Sequence, residues 1–161
     1  MSAKPPLLLF VCTGNICRSP IAEVVAVDAA RRAGIPLRVA SAGTSALTGS
    51  PAYDLAQAAV EEIGLSLAAH RSAPLTRELV DEAALVVAAT GRHRNDLRYF
   101  FPAHASKIVS FDDVTGLGDL SDPLGGGADE FTKTRELVRD GMPRVLAALA
   151  LAGPDRPSGA G

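Results

Sequence analysis

One stretch limits the possible folds more than any other. Leu7-Leu8-Leu9-Phe10-Val11 is a continuous apolar run, and it leads directly into Cys12-Thr13-Gly14-Asn15-Ile16-Cys17-Arg18-Ser19-Pro20. The run reads as a strand buried on both faces. Ser19 and Pro20 read as the start of a helix, with Ser19 as its cap and Pro20 in the first helical position. Five residues therefore turn the chain from a buried strand into a helix, with a cysteine at the strand's end and an arginine at the helix's start.

Such a turn has defined electrostatics. The first N–H groups of a helix lack partners, and the macrodipole favours negative charge beside them. A short loop entering that terminus can aim several N–H groups at one oxyanion. Gly14 permits a tight or left-handed conformation, and Asn15 is among the few other residues that tolerate one. Arg18 adds a planar, always-charged fork that matches two phosphate oxygens. Cys12 sits where these positive ends converge, which favours its thiolate. The Ser19 hydroxyl is within reach to donate to that sulfur. The plainer alternative is a buried strand-end cysteine followed by a surface arginine. The Gly, Asn, Ser and Pro at the turn argue against it. The loop lacks the Gly-Lys-Ser/Thr ending of a nucleotide-binding loop.

The rest of the chain alternates short apolar strands with helices. Strands are expected at Leu7–Cys12, Leu37–Ala42, Leu85–Ala89 and Lys107–Phe111. Helices are expected at Ser19–Ala33 (ended by Gly34), Tyr53–Ile63 (stopped by Gly64), Leu75–Glu82, Gly91–Phe100 and Asp129–Leu151. Phe131, Val138, Met142, Val145 and Leu149 form the apolar stripe of the last helix, and Pro143 is expected to kink or break it. Gly43–Pro51 and Asp112–Ala128 read as loops. This alternation argues an α/β domain with a parallel sheet covered on both faces. In such folds ligands sit at the carboxyl ends of the strands. The Cys12 loop and the Asp112–Ala128 loop can both reach that edge. Residues 1–6 read as a flexible lead, 7–152 as a single domain and 153–161 as a flexible tail.

Bulk properties exclude several classes. A chain of 161 residues with 47% hydrophobic content can bury one real core. A net charge of −2 leaves no electrostatic footprint for nucleic acid. No apolar run approaches the length that spans a bilayer, so no membrane partner is expected. Two cysteines, at 12 and 17, make no disulfide framework, which points to a reduced cytoplasmic setting. No clustered ligand spacing suggests a metal, and no cofactor is expected.

At the Cys12–Pro20 loop the chain resembles the low-molecular-weight protein tyrosine phosphatases. The resemblance continues through Ser41-Ala42-Gly43-Thr44, His70 and Asp122-Pro123, over about residues 7 to 150. It implies a single three-layer domain of the phosphotyrosine phosphatase I-like fold, with a four-stranded sheet in the order 2-1-3-4. It also implies two-step hydrolysis of a phosphomonoester. Cys12 attacks phosphorus, while Arg18 and the loop N–H groups hold the oxygens. An acid protonates the leaving oxygen and then activates water.

Asp112, Asp113, Asp119 and Asp122 are all candidates for that acid on sequence grounds, and the resemblance selects Asp122 through its Asp-Pro motif. It also implies that Thr13, Gly14, Asn15, Ile16, Cys17, Ser19 and Leu124 bind substrate. Asn15, Ser19, Ser41 and His70 are implied to form a hydrogen-bond network behind the loop. His93 and His104, in polar stretches, are expected to be solvated. In the resembling family the second loop cysteine can pair with the first under oxidation; for Cys17 simple packing is the other reading.

The expected partners are a phosphorylated protein, inorganic phosphate or another oxyanion as product or inhibitor, and a cognate kinase. Substrate choice is divided. Members with an aromatic wall place aromatics after Asp-Pro, where this chain has Leu124-Gly125-Gly126-Gly127. That segment and Ser72-Ala73-Pro74-Leu75-Thr76 resemble a bacterial subgroup that includes protein arginine phosphatases. In that subgroup a loop threonine helps select phosphoarginine. Ile16 stands at that position here and cannot hydrogen-bond a guanidinium, a loss of about 1–3 kcal/mol. Ile16 matches the tyrosine-specific members, so phosphotyrosine is the expected substrate and phosphoarginine the alternative. An arsenate reductase on this fold would need two further cysteines downstream, and none follows Cys17. A disulfide oxidoreductase would leave Arg18 without purpose. A phosphocysteine carrier would not need Asp122, and a pure binding module would not need the Cys12 thiol.

Overall fold

The computed structural model describes residues 4–152. β1 (Leu7–Cys12) is buried at every position, as its uninterrupted apolar run requires. It pairs in parallel with β2 (Arg38–Gly43) on one side and with β3 (Leu85–Ala88) on the other; β3 in turn pairs in parallel with β4 (Ile108–Ser110). The sheet order is therefore β2-β1-β3-β4. The helices are α1 (Arg18–Ala33), α2 (Asp54–Glu61), α3 (Arg77–Glu82), α4 (Gly91–Phe100), α5 (Phe111–Thr115) and α6 (Ala128–Leu151).

Alternate residues of β1 serve opposite layers. Leu8, Phe10 and Cys12 join the core shared with α1, α2 and α6, while Leu7, Leu9 and Val11 join Leu97 of α4 and Ile108 of β4. All five residues expected on the stripe of α6 are buried. Burying the strand on both faces fixes its register. A slip by one residue would send each side chain to the wrong layer.

Several local expectations need correction. α1 begins at Arg18, and its N-cap is Cys17 with no side-chain bond, so Ser19 is not the cap. Its hydroxyl is engaged with the Cys12 sulfur instead. Pro143 does not break α6, which runs unbroken over 24 residues. The proline is exposed, so the missing N–H costs one bond on the solvent side while the buried face continues. The Asp112–Ala128 loop starts with α5, closed by a capping box between Ser110 and Asp113. A 3₁₀ helix over Pro102–Lys107 shortens β4 to three residues. Leu75 belongs not to α3 but to an extended segment, its N–H donating to the Gly43 carbonyl.

Within the expected lead, the Pro5 carbonyl accepts from Arg38 Nε at 2.9 Å and the Pro6 carbonyl from the Arg38 N–H at 2.9 Å. The expected tail, 153–161, lies outside the described residues. Among the described residues, no helix is long and apolar enough to cross a membrane.

Candidate active site

β1 ends at Cys12 and α1 starts at Arg18, so both chemical groups are anchored in regular structure and only five residues curl between them. Asn15 makes that curl possible. It adopts φ 57°, the left-handed region, whereas Gly14 does not. An Asn tolerates this conformation because its short amide can bond locally. Here the amide is fully buried, with both of its hydrogens donated and its oxygen accepting one bond. Nδ2 donates to Ser19 Oγ and Ser41 Oγ, each at 2.9 Å, and Oδ1 accepts from the Ala73 N–H at 2.9 Å. His70 Nε2 meets the Asn15 carbonyl at 2.8 Å.

These bonds set a direction. Ser19 Oγ accepts from Asn15, so its own hydrogen is free for Cys12 Sγ, 2.9 Å away. Ser41 Oγ likewise accepts from Asn15 and donates to Glu23 Oε1 at 2.5 Å. Glu23, on α1, ends the chain of bonds. Sequence reasoning missed it. The signal was its place four residues, one turn, beyond Ser19 on the same helix.

The end of β2 closes the loop from the side. Thr44 and Ser45 donate their N–H groups to the carbonyls of Cys12 and Thr13, each at 2.9 Å. The approach is so close that a Cβ on Gly43 would lie 2.4 Å from the Thr13 oxygen. By contrast, no N–H of Thr13 to Cys17 donates to another group among the described residues. These amides surround a pocket of about 130 Å³ that the loop floors from Cys12 to Arg18, with Asp122 and Leu124 facing it. Arg18 is only 6% exposed, and its Nη1 donates to the Leu120 carbonyl at 3.0 Å, which fixes the guanidinium in place. Leu120 is itself tied to the residue that follows β3, its N–H donating to the Ala89 carbonyl at 2.9 Å.

The structure separates the four aspartates. Asp112 accepts the Gly118 N–H, Asp113 caps α5 and pairs with Arg94, and Asp119 accepts the Gly91 N–H. Asp122 lines the pocket, its exposed carboxylate steadied by the Leu124 N–H at 3.1 Å. Pro123 is buried behind it. Thr13, Gly14, Asn15, Ile16, Cys17 and Leu124 also line the pocket. Ser19 does not; it lies behind the loop. Cys17 is buried, and that burial, with the neighbouring Cys12 and Asp122, pushes its thiol up to about 12. It is therefore protonated at neutral pH, in contrast to what a nucleophile needs.

The two histidines expected to be solvated are both engaged. His104 Nε2 pairs with Asp81 at 2.7 Å. His93 reaches the loop itself, with Nε2 2.7 Å from Thr13 Oγ1. A second groove, about 390 Å³, borders the pocket through Gly14 and Ile16 and extends along Leu47, Pro51, Ala52 and Tyr53. The Tyr53 ring stacks on Phe131 at 5.4 Å and stays 40% exposed.

Comparison with known proteins is consistent with this geometry. The family model described as low molecular weight phosphotyrosine protein phosphatase matches residues 7–153. A protein-arginine-phosphatase of Bacillus subtilis (strain 168) is 40% identical over 135 residues, covering 83% of this chain and 89% of that one. A probable low molecular weight protein-tyrosine-phosphatase, EpsP, of Ralstonia nicotianae is 31% identical over 145 residues, covering 87% and 96%. Among solved structures, a Cys-to-Ser variant of the YwlE arginine phosphatase with a phosphorylated active-site serine superposes with a TM-score of 0.84. It is 36% identical and covers 93% of this chain and 97% of that one.

Proposed function

The chain belongs to the low-molecular-weight phosphotyrosine protein phosphatases, and from that premise we propose that it hydrolyses phosphotyrosine in proteins through a phosphocysteine on Cys12. One observation carries the reading. A sulfur at the end of β1, a guanidinium held by the Leu120 carbonyl and the Asp122 carboxylate line one pocket, with the Thr13–Cys17 amides of the same loop unpaired among the described residues.

The phosphoryl group binds with its non-bridging oxygens on the Thr13–Cys17 amides and Arg18. These donors are held before substrate arrives, so they stabilise the transition-state charge without reorganising. Cys12 attacks phosphorus in line, with its thiolate stabilised by the Ser19 hydroxyl. The P–O ester bond breaks as Asp122 gives its proton to the leaving oxygen. Asp122, now a carboxylate, takes a proton from water, which attacks phosphorus and breaks the S–P bond. Inorganic phosphate leaves, the Cys12 thiolate returns and Asp122 is protonated again. The phosphorylated serine in the similar arginine phosphatase supports a covalent intermediate at the matching step.

Phosphotyrosine is favoured by the walls. Ile16 presents no hydrogen-bonding group to a guanidinium, and the groove along Leu47, Pro51 and Tyr53 gives an aromatic ring apolar surface beside the phosphate site. It supplies what Leu124 and the following glycines do not. A phosphoarginine protein is the second reading, favoured by the 40% identity to the Bacillus subtilis enzyme. A cognate kinase and a cytoplasmic setting, where both thiols stay reduced, complete the proposal. Phosphate release from phosphotyrosine and phosphoarginine peptides, side by side with Cys12→Ser as blank, tests it. The phosphotyrosine peptide is expected to have the higher kcat/KM; the reverse order overturns the substrate assignment but keeps the chemistry.

A further inference from the structure

Thr13 is bound from outside the loop. His93 stands in the first turn of α4, half-buried, and its two ring nitrogens are both engaged. Nε2 lies 2.7 Å from Thr13 Oγ1 and Nδ1 2.7 Å from Thr90 Oγ1. Thr90 is the cap of α4, and the same Oγ1 accepts the His93 backbone N–H at 3.1 Å.

Hydrogen counting orients this chain. A hydroxyl has one hydrogen to give, and a neutral imidazole has one N–H. If Thr90 gives its hydrogen to Nδ1, the ring hydrogen sits on Nε2 and goes to Thr13 Oγ1. Every group is then satisfied and the Thr13 hydrogen alone is left over. In the other tautomer Thr90 Oγ1 receives two N–H groups, its own hydrogen has no acceptor among the described residues, and the Thr13 hydrogen is spent on Nε2. Thr13 lines the pocket. We infer that His93, with its tautomer set by Thr90, is a positioning residue that turns the Thr13 hydroxyl into a hydrogen-bond donor for the substrate's phosphoryl group.

The surroundings agree. Burial pushes His93 below the usual imidazole range, and the Arg18 and Arg92 cations push the same way against Asp96 and Asp119, so the ring is neutral at neutral pH. The same corner between β3 and α4 also holds the acid loop, through the Gly91 N–H to Asp119 Oδ1 at 3.1 Å and the Ala89 carbonyl to the Leu120 N–H. Thr13 and the segment leading to Asp122 therefore take their positions from one anchor. Protonating His93 places a new cation beside Arg18 and removes the neutral relay.

The inference rests on the phosphate-site reading above, and its test does not depend on turnover. Binding of inorganic phosphate is measured by calorimetry for the wild type, His93→Ala, His93→Gln, Thr13→Val and the Ala/Val double variant, with melting temperatures as a control on folding. His93→Ala and Thr13→Val are each expected to weaken binding about three- to tenfold, the worth of one hydrogen bond. The double variant is expected to be no weaker than either single one. His93→Gln, whose amide nitrogen can stand in for Nε2, is expected to stay within about twofold of wild type. With an aryl phosphate, the acid limb of kcat/KM should lose one titration in His93→Gln. An additive double variant, a Gln variant as weak as Ala at unchanged melting temperature, or a ¹⁵N spectrum placing the neutral ring's hydrogen on Nδ1 would each overturn the relay. A wild type that binds phosphate without hydrolysing aryl phosphate would overturn the proposed function and leave the relay intact.

Discussion

Asn15 shows how much one residue can hold. Its backbone takes the left-handed turn, and its buried amide joins Ser19, Ser41 and Ala73. Asn15→Ala keeps the Cβ but loses all three bonds and the local tolerance for φ 57°. Unfolding in denaturant is expected to show a loss of about 2–4 kcal/mol, from unsatisfied buried partners and backbone strain together. Gly43 is the opposite case, a residue that must contribute nothing. A Cβ there meets the Thr13 oxygen at 2.4 Å, backbone that cannot give way. Gly43→Ala is expected to cost about 1–3 kcal/mol, read from the same transition, and to lower phosphate affinity with it. At Asp122, Asn should lower kcat/KM by about 10²–10⁴ on a phosphotyrosine peptide and less on an aryl phosphate whose leaving group needs no proton, while kcat, which includes hydrolysis of the phosphocysteine, falls on both.

The meeting of Cys12, Arg18 and Ser19 was legible in the sequence because all three lie within one short segment. Gly14 was a plausible left-handed residue, but the geometry uses Asn15, whose side chain repays the strain. His93 and Glu23 were not legible as site residues. Their partners lie at Thr13 and Ser41, separations of 80 and 18 residues, which only the tertiary fold brings together.

At the scale of elements, the longer pieces were legible and the shortest were not. β1, α1 and α6 follow from their apolar patterns. α5 has five residues, too few for a helical period to be read, and it exists because Ser110 and Asp113 cap each other. Gly141 lets α6 reach it, since a Cβ there would lie 2.6 Å from the Phe111 ring.

Asp113 also binds Arg94 through both oxygens, at 2.7 and 2.9 Å, joining α4 to α5. Burial alone would raise this carboxyl, but the Ser110 and Arg94 bonds together hold it below the usual carboxylate range. The sign follows from linkage. The stabilisation is complete above the ordinary Asp value and is lost as pH falls through the depressed one. Asp113→Asn should therefore flatten the acid side of a melting-temperature profile relative to wild type. A wild-type profile with the same slope as the variant would contradict this.

At the scale of the molecule, the sheet order places the chemistry. β1 is flanked by β2 on one side and β3 on the other, so the strand order reverses beside it. The Cys12 loop leaves that switch point at the carboxyl edge, where this class of sheet binds ligands. The loops after β3 and β4 arrive at the same edge, bringing Asp122 to the pocket and His93 to Thr13 on its wall. Alternation of strands and helices predicted the class of sheet, but the order came from family resemblance, because periodicity carries no information on which strands pair. The proposed substrate choice lies at this scale too, since it rests on Ile16 and on a groove formed with Leu47 and Tyr53. Ile16→Thr should move the ratio of phosphoarginine to phosphotyrosine kcat/KM upward by up to about tenfold, the worth of one hydrogen bond to the guanidinium. An unchanged ratio would take Ile16 out of the selection.

The central claim is that Cys12 carries the phosphoryl group. Its most direct test is rapid acid quench of the enzyme during turnover of an aryl phosphate, followed by mass analysis of the peptides. The account predicts the added mass of one phosphoryl group on the peptide holding Cys12, absent in Cys12→Ala and accumulating in Asp122→Ala, which lacks the base for its hydrolysis. Turnover at full rate with no phosphoryl group on Cys12, or with Cys12→Ala still active, would contradict it.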